Sequence, residues 1–428
     1  MSNHHDNFLD ALPGGWTFDR LKDVVALRNE KTDEAGAEED YLELEDLESG
    51  MGRILNRRNT LEVESAVTLF KKGDVLFGKL RPYLEKYYQA EFDGKCTGEI
   101  LAFKPERIAS RFLFYNFGAR WFVERCNALA YGAKMPRVSW EKQLSQFNIP
   151  LPPLPEQQRI AAYLDASCAA IDAALSAKRR QLETLDTLRK SIALRAVTQG
   201  LNRQAKMKSS GLDWVTEVPA HWQVQQIKRV CSLVRGQFTH RPRNDPALYD
   251  GAYPFVQTGD ITAADKYIRT YSQTLNELGL SVSKRFPKGT LVMSIAANIG
   301  DVAILNFEAC FPDSMIGMIP GHKTNLDFLY YLMRSMQSIM LRSAVQSTQL
   351  NLNYVRIGTN FAPFPPKKEQ KEIAEYLDAK EKESNLISDT IETQIATLTA
   401  YRKSLIHECV TGQRRITEAD LNHVKAHG

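Results

Sequence analysis

A motif that occurs twice constrains this chain more than any other feature. Residues 156–165 read EQQRIAAYLD and residues 369–378 read EQKEIAEYLD, each shortly after a proline pair, Pro152-Pro153 and Pro365-Pro366. Each copy opens a long stretch with helical spacing. In the first, Ile160, Tyr163, Leu164, Ile171, Leu175, Leu182, Leu185 and Ile192 recur at three- and four-residue steps, and neither Pro nor Gly interrupts them before Gly200. Pro155 suits a helix start, where its missing N–H costs nothing, and Glu156 complements the positive end of the dipole. About 44 residues at ~1.5 Å each predict a rod of roughly 65 Å. In the second, Ile387, Ile391, Gln394, Leu398, Tyr401 and Leu405 predict a heptad seam. The rods also end alike: Arg189-Lys190-Ser191 and Val197-Thr198 answer Arg402-Lys403-Ser404 and Val410-Thr411. The chain is a tandem duplication.

The halves predict six segments. They are a first globular unit (1–151), a first rod (152–200), a polar basic linker (201–212), a second unit (213–364), a second rod (365–412) and a tail (413–428). Landmarks of the first unit return in the second. Trp16 is answered by Trp222, Phe70-Lys-Lys-Gly73 by Phe286-Pro-Lys-Gly289, and Phe112-Leu-Phe-Tyr115 by Phe328-Leu-Tyr-Tyr331. Polar loop residues do not return. The first unit has Gly78-Lys-Leu-Arg-Pro82 and the breaker-rich loop 131–139; the second has 293–301 and the amide-rich stretch 346–353. One activity needed twice would repeat its polar residues. Two different things read on one frame would not.

Composition permits several partners and demands none. The net charge is +4 over 428 residues, low for a surface dominated by phosphate contacts. Six scattered cysteines form no C-x-x-C pair, which argues against structural zinc and against a disulfide framework. No uninterrupted apolar run approaches a membrane span, and the N-terminus lacks a basic-then-apolar leader, so a cytoplasmic protein is expected. The acidic stretch from Asp33 to Glu48 is read as a solvated loop or a docking surface for a basic partner, away from any phosphate. Residues 110–130 read as one aromatic-rich helix.

Catalytic patterns are missing. Gly73 and Gly78-Lys79 imitate a phosphate loop, but Leu80 replaces the magnesium-binding hydroxyl and the glycines bracket a strand. Neither Pro-Pro pair follows the acid or amide that an amino-methyltransferase loop requires. Pro312-Asp313 with Glu369 and Lys371 makes a weak nuclease pattern inside a helix start. No nucleophile elbow or metal-ligand spacing is present. No catalytic, cofactor or metal residue is assigned.

The doubled Pro-Pro-x-x-Glu-Gln to Tyr-Leu-Asp motif, with Lys72-Gly-Asp-Val-Leu76 and Ile299-Gly-Asp-Val-Ala303, resembles the DNA specificity (S) subunits of type I restriction–modification systems, from Trp16 to Thr411. The resemblance implies an α/β (α+β) fold: two target-recognition domains joined by two long antiparallel coiled-coil helices in a pseudo-twofold tandem repeat. It implies a non-catalytic subunit that binds double-stranded DNA at a bipartite asymmetric target. Two methyltransferase (M) subunits carrying S-adenosylmethionine would join it, with restriction (R) subunits using ATP and Mg. A rod that sets the gap implies that one added turn of ~5.4 Å in both rods lengthens the unread spacer by roughly one to two base pairs at ~3.4 Å each, with both half-sites unchanged. The alternative is a structural adaptor whose rods bridge two proteins.

Base reading needs amides and guanidiniums on groove-entering loops. The candidates in the first unit are Lys79, Arg81, Tyr131, Lys134, Arg137 and Ser139. In the second they are Arg235, Gln237, His240, Arg241, Arg243, Asn298, Gln346, Thr348, Gln349, Asn351 and Asn353. Outward basic positions on the rods, Arg179, Arg180, Arg189, Lys190, Arg402 and Lys403, are candidates for M-subunit docking.

Overall fold

A computed structural model of the chain describes residues 12–32, 40–59, 67–296, 298–343 and 354–427. The candidates Gln346, Thr348, Gln349, Asn351 and Asn353 lie outside the described residues. The chain forms two compact units, Met1–Arg180 with Ile391–Gly428 and Gln181–Thr390. Each unit therefore holds a globular lobe, the start of its own rod and the end of the other.

Both lobes are built on the same antiparallel core. In unit 1 the strand order is Val25–Leu27, Ile100–Pro105, Val75–Gly78, Tyr87–Gln89. In unit 2 it is Cys231–Arg235, Met315–Pro320, Leu291–Ser294, Val302–Leu305, with Tyr267–Ile268 added parallel at the edge. A second sheet accompanies each, of five short strands in unit 1 and four in unit 2. A two-stranded clasp then leads to each rod. Thr17–Arg20 pairs with Asn148–Leu151, and Gln223–Gln226 pairs with Phe361–Phe364 in the same antiparallel sense. The aromatic stretch after the core sheet is two helices in unit 1, Ser110–Phe117 and Arg120–Leu129, where one was expected. The break falls at Gly118, where a Cβ would sit 2.3 Å from the Tyr87 hydroxyl.

The rods are single helices, Leu154–Gln199 and Lys367–Val410. Gly200 (φ +72°) and Gly412 (φ +76°) stop them in the left-handed conformation that glycine adopts freely. Within unit 1 the rods pack antiparallel. Asp172 meets Arg402, Tyr163 lies under Arg414, and Arg159 donates to the carbonyl of Ile416, so partner numbers fall as the first rod ascends. The rod surfaces enter the cores. Ile160, Leu164, Ile171 and Leu175 pack with Leu405, Ile406 and Val410 in unit 1; Ala196 and Val197 pack with Ile373, Ala374 and Leu377 in unit 2. The first rod is the one helix among the described residues long and apolar enough to cross a membrane by length and composition, and these packed faces account for that apolarity.

The seam of the second rod differs from the expected one. Its covered positions are Ser384, Ser388, Ile391, Ile395, Leu398, Arg402, Leu405 and Cys409, an unbroken four-three alternation. Ile387 and Tyr401 are instead 43% and 50% exposed, and Gln394 is exposed. The expected seam shares Ile391, Leu398 and Leu405 but chose their mates three residues on instead of four. The true mates include two serines and an arginine, which an apolar pattern passes over. The first rod runs through Leu164, Cys168, Ile171, Leu175, Lys178, Leu182, Leu185, Arg189, Ile192 and Ala196 in the same alternation.

Two further expectations change. The segment read as a linker contains a strand, Met207–Leu212, in a hairpin with Val215–Pro219. The described part of the acidic stretch is neutralised locally: Arg58 reaches Glu43, Glu45 and Asp46, Arg53 pairs with Glu48, and Arg57 lies 3.9 Å from Asp40. It presents no bare negative face there.

Candidate nucleic-acid interface

The repeated motif explains itself as a latch between rod and lobe. Gln157 accepts the Ala109 amide at 2.8 Å and donates to the Pro152 carbonyl at 2.9 Å. Gln370 accepts the Asn325 amide at 2.7 Å and donates to the carbonyls of Pro365 and Lys323. Each amide thus ties the proline pair to the start of its lobe's aromatic helix. Further along each rod, Asp165 accepts Arg111 and the Tyr115 hydroxyl, both at 2.6 Å; Asp378 accepts Lys266 and the Tyr331 hydroxyl, both at 2.6 Å. Burial pushes both phenols well above their ordinary range, so they remain donors at any ordinary pH. The motif is structural, and the recognition chemistry must lie elsewhere.

In unit 1 all six sequence candidates converge. The Val75–Gly78 strand exits into Lys79, whose amide donates to the Glu99 carbonyl and whose own carbonyl accepts the Val138 amide. The Arg81 amide donates to the Pro136 carbonyl, and Tyr131 and Arg137 exchange two backbone bonds. The loop 131–139 is thereby stitched onto residues 79–81 at one end of the core sheet. Lys134 is exposed there, near the exposed Tyr131 and Met135 in sequence, and Tyr83, two residues after Arg81, is another large exposed side chain.

The side chains are less free than their types imply. The Arg137 guanidinium grips both carboxylate oxygens of Glu99 at 3.0 and 3.1 Å. Those bonds, with the charge of Glu99, raise its pKa further above the usual arginine range. Ser139 serves the turn: its hydroxyl donates to Glu141 and accepts the Lys142 amide. Arg81 sits at φ +50°, with a buried Nε that has no hydrogen-bond partner.

Unit 2 uses the corresponding end of its sheet. Cys231–Arg235 exits there, Met315–Pro320 begins there, and Leu291–Ser294 exits beside it through the Ile295–Ser314 backbone bond. Asp313 collects the basic candidates. It accepts Arg243 at 2.6 Å, lies 3.8 Å from Arg241, and its carbonyl accepts Arg235 at 2.8 Å. Arg241 also donates to the carbonyls of Phe238 and His240. His240 is held by Asp245 at 3.0 Å, Gln237 is exposed with its backbone N–H on the Phe311 carbonyl, and Asn298 donates to Thr262 on the short helix Thr258–Ala263.

Glu99 and Asp313 were not among the DNA-binding candidates, Asp313 having entered only in the weak nuclease pattern, because an acid is an unpromising partner for DNA. Here each shapes arginines, and only the fold brings it to them.

The rod candidates divide. Arg179 and Arg180 are exposed, and Lys190 pairs with Asp186 one turn away. Lys403 pairs with Glu85 at 2.7 Å. Arg402 does not face outward: it is 4% exposed, with its guanidinium on Asp172 at 3.0 Å and on the Gly50 carbonyl at 3.1 Å. Its seam position puts it between rod and lobe, which removes it as a docking residue. Arg189, its equivalent in the first rod, is half-buried in the seam, and its Nε and Nη2 lack hydrogen-bond partners.

Known proteins share this organisation. The family model for the type I restriction modification DNA specificity domain matches twice, over residues 13–184 and 219–397. The type I restriction enzyme EcoDI specificity subunit of Escherichia coli is 27% identical over 209 residues, 48% of this chain and 46% of the relative's own length. The type I restriction enzyme MjaVIII specificity subunit of Methanocaldococcus jannaschii is 21% identical over 393 residues, 86% of each chain. Among solved structures, a chain from a study of complex assembly and conformational transition in the type I R-M system matches with a TM-score of 0.75. It is 20% identical and covers 94% of this chain and all of its own. The HsdS subunit of Thermoanaerobacter tengcongensis matches with a TM-score of 0.54 at 20% identity, covering 94% and 98%. These structures share the fold; the doubled family model, spanning most of the sequence, places the chain in the family of type I restriction–modification DNA specificity proteins.

Proposed function

We propose that this chain is the sequence-specificity subunit of a type I restriction–modification complex and is itself non-catalytic. Each unit reads one half of a bipartite, asymmetric target in double-stranded DNA. Two methyltransferase subunits supply S-adenosylmethionine chemistry, and restriction subunits supply ATP- and Mg-dependent cleavage, in the cytoplasm. One observation carries this reading: the glutamine, aspartate and tyrosine of the latch are the same in both units, while the loops at one end of the shared sheet differ. A scaffold repeated with divergent loops suits two different half-sites. An adaptor that bridges proteins through its rods has no need of those two basic, dissimilar loop clusters.

The electrostatics supply a mechanism. Glu99 and Asp313 hold guanidiniums in fixed planes while the protein is free. Phosphates then position the cations, and those that reach a base edge read it bidentately. The test is methylation mapping in a host that expresses the chain with its modification partners. Replacing residues 79–81 and 131–139 with a relative's loops should alter one half-site alone. A change in both half-sites, or in neither, refutes the assignment.

A further inference from the structure

Unit 2 has a cavity of about 570 Å³ at the foot of the second rod, apart from the loops that read DNA in the function proposed above. Its walls carry Arg229, Lys323 and Lys367 with the imidazoles of His221 and His322, and no carboxylate is among its lining residues. The nearest acid in the sequence, Glu369, stands outside the lining and is engaged by His221 at 2.8 Å. The walls are fastened. Lys367 donates to the His322 carbonyl at 2.7 Å, Gln370 to the Lys323 carbonyl at 3.2 Å, and Thr324 to the Val230 carbonyl at 2.7 Å. Lys367 is also the first residue of a 44-residue helix, whose amino end adds positive potential.

The duplication supplies an internal control. The clasp strands pair in the same register, so Asp19 of unit 1 stands where Gln225 stands in unit 2, and Asp23 where Arg229 stands. The loop leaving the sheet carries Glu106 and Arg107 in unit 1, His322 and Lys323 in unit 2. Leu154 opens the first rod where Lys367 opens the second. In unit 1 the charges cancel: Arg107 reaches Asp19 at 3.1 Å and Arg20 reaches Asp23 at 2.7 Å. The scaffold is the same, yet Asp19, Asp23 and Glu106 give way to Gln225, Arg229 and His322, and Lys367 adds a cation where Leu154 has none. Scaffold needs do not explain that change, because unit 1 meets them with paired charges.

We propose that this cavity binds a phosphate-bearing anion. A guanidinium, two ammonium groups and imidazoles lining one cavity at a helix start supply donors of the kind and number that a doubly charged oxyanion takes. The phosphate comes either from a free polyphosphate or from the DNA backbone, and the two sources separate experimentally. The probes are inorganic pyrophosphate, followed by calorimetry, and a non-specific duplex titrated at several salt concentrations, each with the full-length chain. The variants are Arg229→Gln with Lys323→Gln, Lys323→Gln alone because that side chain is exposed and its loss leaves the fold intact, and Lys206→Gln as a distant control. For a free anion, pyrophosphate binding weakens by about tenfold or more in the double variant, while the duplex salt slope holds. For a backbone phosphate, the slope of log K against log salt becomes shallower by about one for each phosphate that is no longer neutralised. Unchanged pyrophosphate binding together with an unchanged slope in both cavity variants overturns the proposal. That outcome leaves the methylated sequence, and so the function proposed above, untouched.

Discussion

Arg189 and Arg402 occupy equivalent places in the two rods, yet only Arg402 is partnered, so replacing each with methionine should have opposite consequences. Arg402 is 5% exposed at its side chain and Asp172 is 23% exposed. Removing one member of a fully buried ion pair costs ~3–5 kcal/mol, because the other charge is stranded. Asp172 keeps some contact with water, and the Gly50 carbonyl loses a charge-assisted donor worth ~1.5–3 kcal/mol. Arg402→Met should therefore destabilise unit 1 by ~2–4 kcal/mol. Arg189 brings buried Nε and Nη2 atoms with no partner, and the residue equivalent to Asp172 is Asn385. Methionine keeps the apolar stem and removes the unsatisfied donors, so Arg189→Met should change stability by no more than ~1 kcal/mol, or raise it. Urea denaturation followed by tryptophan fluorescence and circular dichroism reads both variants. A double-mutant cycle with Asp172→Asn should give a coupling of ~1–3 kcal/mol for Arg402. Equal losses at the two arginines, or no coupling to Asp172, would show that the pairing does not hold the two rods together in unit 1.

Other outcomes rest on the same kinds of contact. Gln370→Ala strips the Asn325 amide and two carbonyls of their partner and should cost ~2–3 kcal/mol, whereas Gln370→Glu, which sets a buried carboxylate oxygen against the carbonyls of Pro365 and Lys323, should cost at least as much; denaturation of each variant measures it. Burial, and then the charge of Arg120, lowers the pKa of His407 below the ordinary histidine value of 6.5. The unfolded chain therefore takes up that proton first, and stability should fall as pH drops from about 6.5 towards the depressed value, a slope that His407→Gln flattens in melting curves. Arg137→Ala should weaken duplex binding by the assembled complex, and Lys206→Ala in the 201–212 segment should not; equal affinities in a fluorescence titration would remove the loop 131–139 from the interface.

The duplication, the rods and the family were legible in the sequence because each rests on local repetition. A proline pair, a glutamine, an aspartate and a helical period recur whatever surrounds them. The seam register was not legible. Ser384, Ser388 and Arg402 are covered by their surroundings in the fold, and a pattern built on apolar residues passes over them. The six candidates of unit 1 were chosen for their chemistry, and the fold brought them together through backbone bonds between residues 79–81 and 131–138. What sequence could not foresee is which cations are already engaged.

The residues alone determined that two similar scaffolds each carry their own loops, since helix period and motif spacing are properties of neighbouring residues. Tertiary structure decided which charges face which. Arg137 meets Glu99 across 38 residues and Arg402 meets Asp172 across 230. An ion pair depends on distances of a few ångströms between side chains far apart in the chain, and no local pattern encodes those distances.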